Sequence, residues 1–127
     1  MPLSLGAAQS VDYYIDAKDD LGFFTATLGS GQTISVVSSD PATVVLTPDT
    51  TVRKAPDGTV CVASGKAASA KPPAQPGVAI NITGSVLNAD GTPGTDDNGA
   101  VIAPAVDTIT INPGQAHALG ELFGVPA

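Results

Sequence analysis

The segment Val78-Ala-Ile-Asn-Ile-Thr-Gly-Ser-Val86 alternates strictly with period two, and no other stretch constrains the fold as much. In an extended backbone Val78, Ile80, Ile82 and Val86 point to one side while Asn81, Thr83 and Ser85 point to the other, so one face packs and the other meets solvent. That is the pattern of a sandwich strand. Shorter runs rich in Val, Ile, Thr, Tyr and Phe recur along the 127 residues, each ended by Gly, Pro, Asp or Asn, as antiparallel β structure requires. Helix-period segments are absent.

Residues 11–17 set Val11, Tyr13 and Ile15 against Asp12, Tyr14 and Asp16, and Lys18-Asp-Asp-Leu-Gly22 then breaks the strand with turn residues. Residues 23–28, 32–37, 42–47, 59–63 and 106–112 are read as further strands, and 51–55 as a short edge strand. Gly29-Ser-Gly31, Ser38-Ser-Asp-Pro41 and Asp57-Gly58 supply the turns between them. Residues 64–77, small side chains and prolines, read as a long exposed loop, and 88–99 as a second.

A chain of 127 residues is the size of one domain, 1–127, and buries a modest core without disulfides or metal. Charged residues are 13% of the chain against a usual share of about 25%, yet 12 acids outnumber 5 bases and leave a net charge of −7. The surface is therefore built largely from Thr, Ser, Ala, Gly, Asn and Gln. A sequence pI near 4.1 speaks against nucleic acid as a partner, because no basic stripe exists to neutralise phosphates, and an anionic membrane is disfavoured for the same reason. The opening Met-Pro-Leu-Ser-Leu-Gly lacks the charged and apolar regions of a signal peptide, and no window approaches the roughly 20 apolar residues of a membrane helix. Synthesis and folding in a cytoplasm are expected.

The inventory of reactive groups is poor. Cys61 is the single cysteine and, within Thr59-Val-Cys-Val-Ala63, reads as a small buried hydrophobe. Asp90, Asp96, Asp97 and Asn98 offer the hard oxygens that Ca²⁺ takes, but their spacing does not fit an EF-hand and the segment reads as a solvated, turn-rich loop. Asn81-Ile-Thr83 fits a glycosylation sequon inside the best strand of the chain. His117 has no second ligand at metal spacing, and Gly29-Ser-Gly31 lacks the Lys-Ser/Thr ending of a phosphate loop. The carboxylate pairs Asp19-Asp20 and Asp96-Asp97 read as solvated turn acids, since a glycosidase pair needs a cleft with aromatic platforms. No catalytic residue, cofactor or metal is assigned, and the chain is expected not to be an enzyme.

Partner contact is assigned instead to the C-terminal stretch, where Leu119, Leu122, Phe123 and Val125 are more apolar than a free tail requires. Residues 113–127 then form either an arm that docks on another subunit by β-augmentation or the last strand of the sandwich.

Ser30-Gly-Gln-Thr-Ile-Ser-Val-Val-Ser-Ser-Asp-Pro-Ala-Thr-Val-Val-Leu-Thr-Pro48 resembles the bacterial Ig-like pattern, in which a strand leads into Ser-Ser-Asp-Pro and then a Val-rich strand. The opening Met1 to Leu5, the alternating strand of residues 9–17, the first turn Asp19 to Gly22 and the late strands extend this to small single-domain Ig-like proteins of bacteriophage virions. The chain departs from them in having aliphatic Val36 and Val37 where a core Trp often stands, and in the length of the segments 64–77 and 88–99. The resemblance implies an Ig-like antiparallel β-sandwich of about seven or eight strands. It also implies a capsid decoration or cement protein on the head exterior, in contact with the major capsid protein and neighbouring copies of itself as a homo-oligomer or lattice-bound array. The alternative within the same resemblance is an adhesion or carbohydrate-binding Ig-like module of a tail, fibre or cell surface.

Overall fold

Seven strands and no helix form among the described residues of the computed structural model, which are 3–5, 9–70, 79–111, 119–120 and 123–126. The strands are β1 (Leu3–Leu5), β2 (Ser10–Ile15), β3 (Thr33–Ser38), β4 (Val44–Pro48), β5 (Ala63–Ser69), β6 (Ala79–Leu87) and β7 (Ala105–Ile111). They make an all-β sandwich of two sheets, one ordered β1-β7-β6-β3 and the other β2-β5-β4. All pairings are antiparallel except that of β1 with β7, which is parallel.

The alternation read from the sequence decides which side of each strand turns inward. Ile80 pairs with Ile109 across β6 and β7, and both are buried, as is Ile111 two residues on. With Leu5, Val44 and Ala67 they form the core, against which Val11, Tyr13, Leu46 and Ile82 pack. Each aliphatic side chain of this size buried in full is worth about 1.5–3 kcal/mol, so these few residues carry much of the fold. The Ser-Ser-Asp-Pro turn takes the chain from one sheet to the other. The Asp40 carbonyl accepts from the Thr43 and Val44 amides, its carboxylate accepts from the Thr43 hydroxyl at 2.7 Å, and the Asn81 amide donates to Ser39 Oγ at 2.9 Å. Thr43 is thereby buried without losing its hydrogen bond.

The largest departure from the sequence reading is β5. Residues 64–69, expected to begin a long exposed loop, are the central strand of the three-stranded sheet, and the strand expected over 59–63 gives it only Ala63. Small residues belong there for a physical reason. Gly65 pairs with Tyr13 on one side and Pro48 on the other, and the Tyr13 ring lies across it. A Cβ at Gly65 would come within 2.5 Å of that ring and of the Thr47 carbonyl oxygen. Of the rest of the expected loop, Ala70 donates its amide to the Thr43 carbonyl, and residues 71–77 lie outside the described residues.

Two more of the expected strands do not form. Residues 23–28 contribute only an isolated bridge between Phe24 and Lys18, and 51–55 are not a strand but a strap, held where the Arg53 amide donates to Ser64 Oγ at 2.9 Å. Conversely β1, which no periodicity marks as a strand, is recruited by the edge of β7. Cys61 is buried as expected, with its thiol pKa pushed up, chiefly by loss of solvent.

Gly65→Ala is expected to cost about 1–3 kcal/mol through forced displacement of Tyr13 or β4. Lys66→Ala, one residue away on the exposed face, is expected to stay within about 0.5 kcal/mol of wild type. The midpoints and slopes of urea unfolding measure both.

Candidate functional site

The loops 16–32 and 88–104 meet at one end of the sandwich, and each is built from acids that organise their own turns. In the first, the Asp19 carboxylate accepts from the Leu21 and Phe23 amides at 3.0 and 2.9 Å, the Asp19 amide donates to the Phe23 carbonyl, and Gly22 takes a φ of 85°. Only glycine enters that region without strain. The resulting tight hairpin holds Leu21 76% and Phe23 67% exposed, and Lys18 Nζ sits 5.1 Å from the centre of the Phe24 ring.

In the second loop Asp90 accepts from the Thr92 amide and hydroxyl, and Asp96 accepts from the Asn98 and Ala100 amides at 2.9 and 3.0 Å. Thr95 bridges Val101 to close a second small hairpin, which leaves Val101 65% exposed beside Ile102. The hydroxyl and amide bonds to Asp90, the hydroxyl foremost, hold its carboxyl below the usual carboxylate range.

Gln32 joins the two loops, a role without any sign in the sequence. Its Oε1 accepts from the Gly29 amide at 2.9 Å, while Nε2 donates to Asn88 Oδ1 at 3.0 Å and to the Thr95 carbonyl at 2.8 Å. A glutamine outside any motif offers no advance notice that its amide nitrogen will be satisfied across 56 and 63 residues. Gly29-Ser-Gly31 is a turn, closed by the Gln32 amide on the Gly29 carbonyl.

Between the loops lies an open cleft of about 570 Å³, along which Asp16, Asp19, Asp20, Asp96 and Asp97 are arrayed with Lys18. The two acid pairs singled out from sequence thus line one concavity. Among the described residues no three carboxylate, thiol or imidazole groups stand in an arrangement that holds a metal ion. The sequon residue Asn81 is exposed on β6 with its backbone in the ladder.

A polar cluster covers the outer face of the other sheet. Asp49 Oδ2 accepts from Ser64 Oγ at 2.6 Å and from Arg53 Nε at 2.8 Å, and Arg53 Nη1 reaches Asp12 and Tyr14 at 3.4 Å. The Ser64 bond, and then the Arg53 bond, hold the Asp49 carboxyl below the usual range. Ser64 faces a carboxylate already committed to Arg53, so the cluster pins the strap of residues 49–55 to β5.

A second cleft, of about 420 Å³, opens on one side of the sandwich between β2 and β7, with Tyr13, Ala67, Ile82, Gly84 and Ile109 among its lining residues. Of the four residues assigned to partner contact, Leu119, Phe123 and Val125 are 97%, 91% and 95% exposed. Leu122 and His117 lie outside the described residues.

No protein-family model, curated protein or solved structure matches the chain.

Two expectations follow for the loops and the strap. Gln32→Ala removes three hydrogen bonds of a half-buried amide and is expected to cost about 1–3 kcal/mol; hydrogen exchange should quicken at Gly29, whose amide loses its acceptor. For Asp49, a carboxyl depressed in the folded state stabilises above its unfolded pKa, and that contribution is lost as pH falls through the folded value. Asp49→Asn should therefore melt below wild type at pH 7, with the gap closing below about pH 4. Thermal midpoints from neutral to acid pH read this directly.

Proposed function

We propose that this chain is a non-enzymatic structural protein of a bacteriophage virion, a capsid decoration or cement protein bound to the head exterior. Its partners in this reading are the major capsid protein and neighbouring copies of itself. The observation that carries the reading is the loop end of the sandwich, where Leu21, Phe23, Phe24, Val101 and Ile102 stand exposed on hairpins fixed by internal hydrogen bonds. Large apolar side chains held outward on a rigid frame mark a protein-contact surface, and little ordering entropy remains to be lost on docking.

The strand order supports the Ig-like part of the reading. Strands β2, β5 and β4 against β3, β6 and β7 follow the B-E-D and C-F-G order of an Ig domain, and the Ser-Ser-Asp-Pro turn falls at the crossing between sheets. The loops 16–32 and 88–104 then occupy the positions of the B–C and F–G loops, where such sandwiches carry binding surfaces. The mechanism is geometric: many weak contacts repeated over a symmetric lattice add up by multivalency. A net charge of −7 keeps the free protein dispersed before it docks.

Expanded empty capsids of the phage that encodes the chain, mixed with purified protein and sedimented, test the reading. Saturable co-sedimentation is expected for wild type, with at least about ten-fold weaker binding for the double variant Leu21→Asp, Phe23→Asp. Absence of capsid binding, with binding to host cells or glycans instead, would overturn it in favour of a tail, fibre or cell-surface adhesion or carbohydrate-binding module.

A further inference from the structure

Four hairpins of the chain close on one and the same turn. In residues 19–23, 55–59, 88–92 and 96–100 the first amide donates to the fifth carbonyl and the fourth amide donates back to the first carbonyl. The fourth residue is each time a glycine, with φ of 85°, 89°, 83° and 81°. This is a type I turn followed by a bulged glycine. What differs is the residue before that glycine, which is Leu21, Asp57, Asp90 and Asn98 in turn.

A carbonyl carbon at the γ position of that residue lies next to the glycine amide nitrogen, and bonding the two closes a five-membered ring, a geometry that favours attack within the chain. At Asp57 and Asp90 the route is shut. Asp57 Oδ1 accepts from the Thr59 amide at 3.0 Å, and Asp90 Oδ1 accepts from the Thr92 hydroxyl and amide. The Thr59 amide foremost for Asp57, and the Thr92 hydroxyl foremost for Asp90, hold both carboxyls below the usual carboxylate range, and an ionised carboxylate resists a nitrogen nucleophile.

Asn98 is left open by its neighbour. Asp96 takes the Asn98 and Ala100 amides at 2.9 and 3.0 Å, so the fifth amide, which Asp57 and Asp90 bind in their own turns, is already occupied. The Asn98 carboxamide is exposed and hydrogen-bonds to none of the described residues. The other three asparagines are protected. Asn88 accepts from Gln32 and donates to Thr92 Oγ1 and the Pro93 carbonyl. Asn81 precedes the β-branched Ile82 inside β6, and Asn112, outside the described residues, precedes Pro113, which has no N–H to give up.

We propose that Asn98 is a site of spontaneous covalent modification, at which the Gly99 amide nitrogen attacks Asn98 Cγ and closes a succinimide. The N–Cγ bond forms as the Cγ–Nδ2 bond breaks, and Nδ2 leaves as ammonia with the proton that Gly99 gives up. One water then adds at either carbonyl of the ring and opens it to aspartate or to β-linked isoaspartate at residue 98. Because the Gly99 amide donates to the Asp96 carbonyl at 3.0 Å, attack waits for the turn to open, and the turn sets the pace. Either product places a further carboxylate beside Asp96 and Asp97. The isoaspartyl link also adds a backbone carbon between residues 98 and 99, which takes the Gly99 and Ala100 amides out of register with Asp96 and loosens the hairpin that presents Val101. The chemistry stands on the turn alone and does not depend on the decoration reading.

Full-length protein held in mildly alkaline buffer at physiological temperature, sampled over weeks and mapped by peptic digestion in acid, tests the site. Residue 98 should convert from amide to acid as two isomeric peptides, at least about ten-fold faster than residues 81 and 88. The rate should rise with hydroxide, and hydrogen exchange at Ala100 should quicken in the aged protein. Asn98→Gln, whose longer side chain would have to close a six-membered ring, should keep its amide over the same time. A residue 98 that keeps its amide, or converts no faster than residue 88, overturns the proposal, as does an Asn98→Gln protein that converts at the wild-type rate. So does an aspartyl product with no isoaspartyl isomer, because direct hydrolysis by water yields aspartate alone.

Discussion

The near absence of side chains on the inward face of β5 is the constraint around which the other strands are arranged. Ala63, Gly65, Ala67 and Ser69 turn toward the opposite sheet, and none can fill the space between two layers about 10 Å apart. That volume is filled from the flanks, by Val11 and Tyr13 of β2 and Leu46 of β4, and from across, by Ile80, Ile82, Ile109 and Ile111. The Tyr13 ring spreads across Gly65, the position of β5 that yields the room. Its hydroxyl is pushed to a higher pKa, first by burial and then by Asp49.

The same economy decides where the sandwich is complete and where it is not. At the margin of β3 and β4 the short link 39–43 draws the sheets together through Asp40, Thr43 and Ser39. At the margin of β1 and β2 the chain also crosses from one sheet to the other, between Leu5 and Ser10, and β1 is three residues long. Both margins are therefore tied by covalent connection, and the second also leaves the outer edge of β2 without a paired strand among the described residues. The loop end adds a second concavity, which shares Ile15, Asp16, Gly84 and Ala105 with the cleft between β2 and β7.

Much of the architecture was legible because period-two alternation is a direct imprint of a half-buried sheet. β2, β3, β6 and β7 fall within a residue or two of where Val11, Ile34, Ile80 and Ile109 placed them. β5 was not legible, because Ser-Gly-Lys-Ala-Ala-Ser is the composition of a linker and becomes a strand only when large neighbours lean over it. β1 was hidden for a related reason: three residues show no period, and Leu3 finds its partner Ile109 only once β7 is already in place near the other end of the chain. The candidate site was half legible. The acid pairs and turn glycines marked the turns at 18–22 and 29–31 and the loop 88–99, but 23–28 read as a strand, and nothing in the sequence announced that Gln32 would bring the two loops together.

The acids of the loops bear on how far the surface of this protein can change. Asp19, Asp57, Asp90 and Asp96 each accept a backbone amide inside their own turn, and Asp40 and Asp49 hold a crossover and a strap. Much of the negative charge is thus hydrogen-bonding scaffold and not an adjustable coat. Replacing these aspartates with lysine or alanine to make a neutral variant would unpick the corners of the sandwich one by one, so electrostatic retuning is confined to positions such as Asp20 and Asp97.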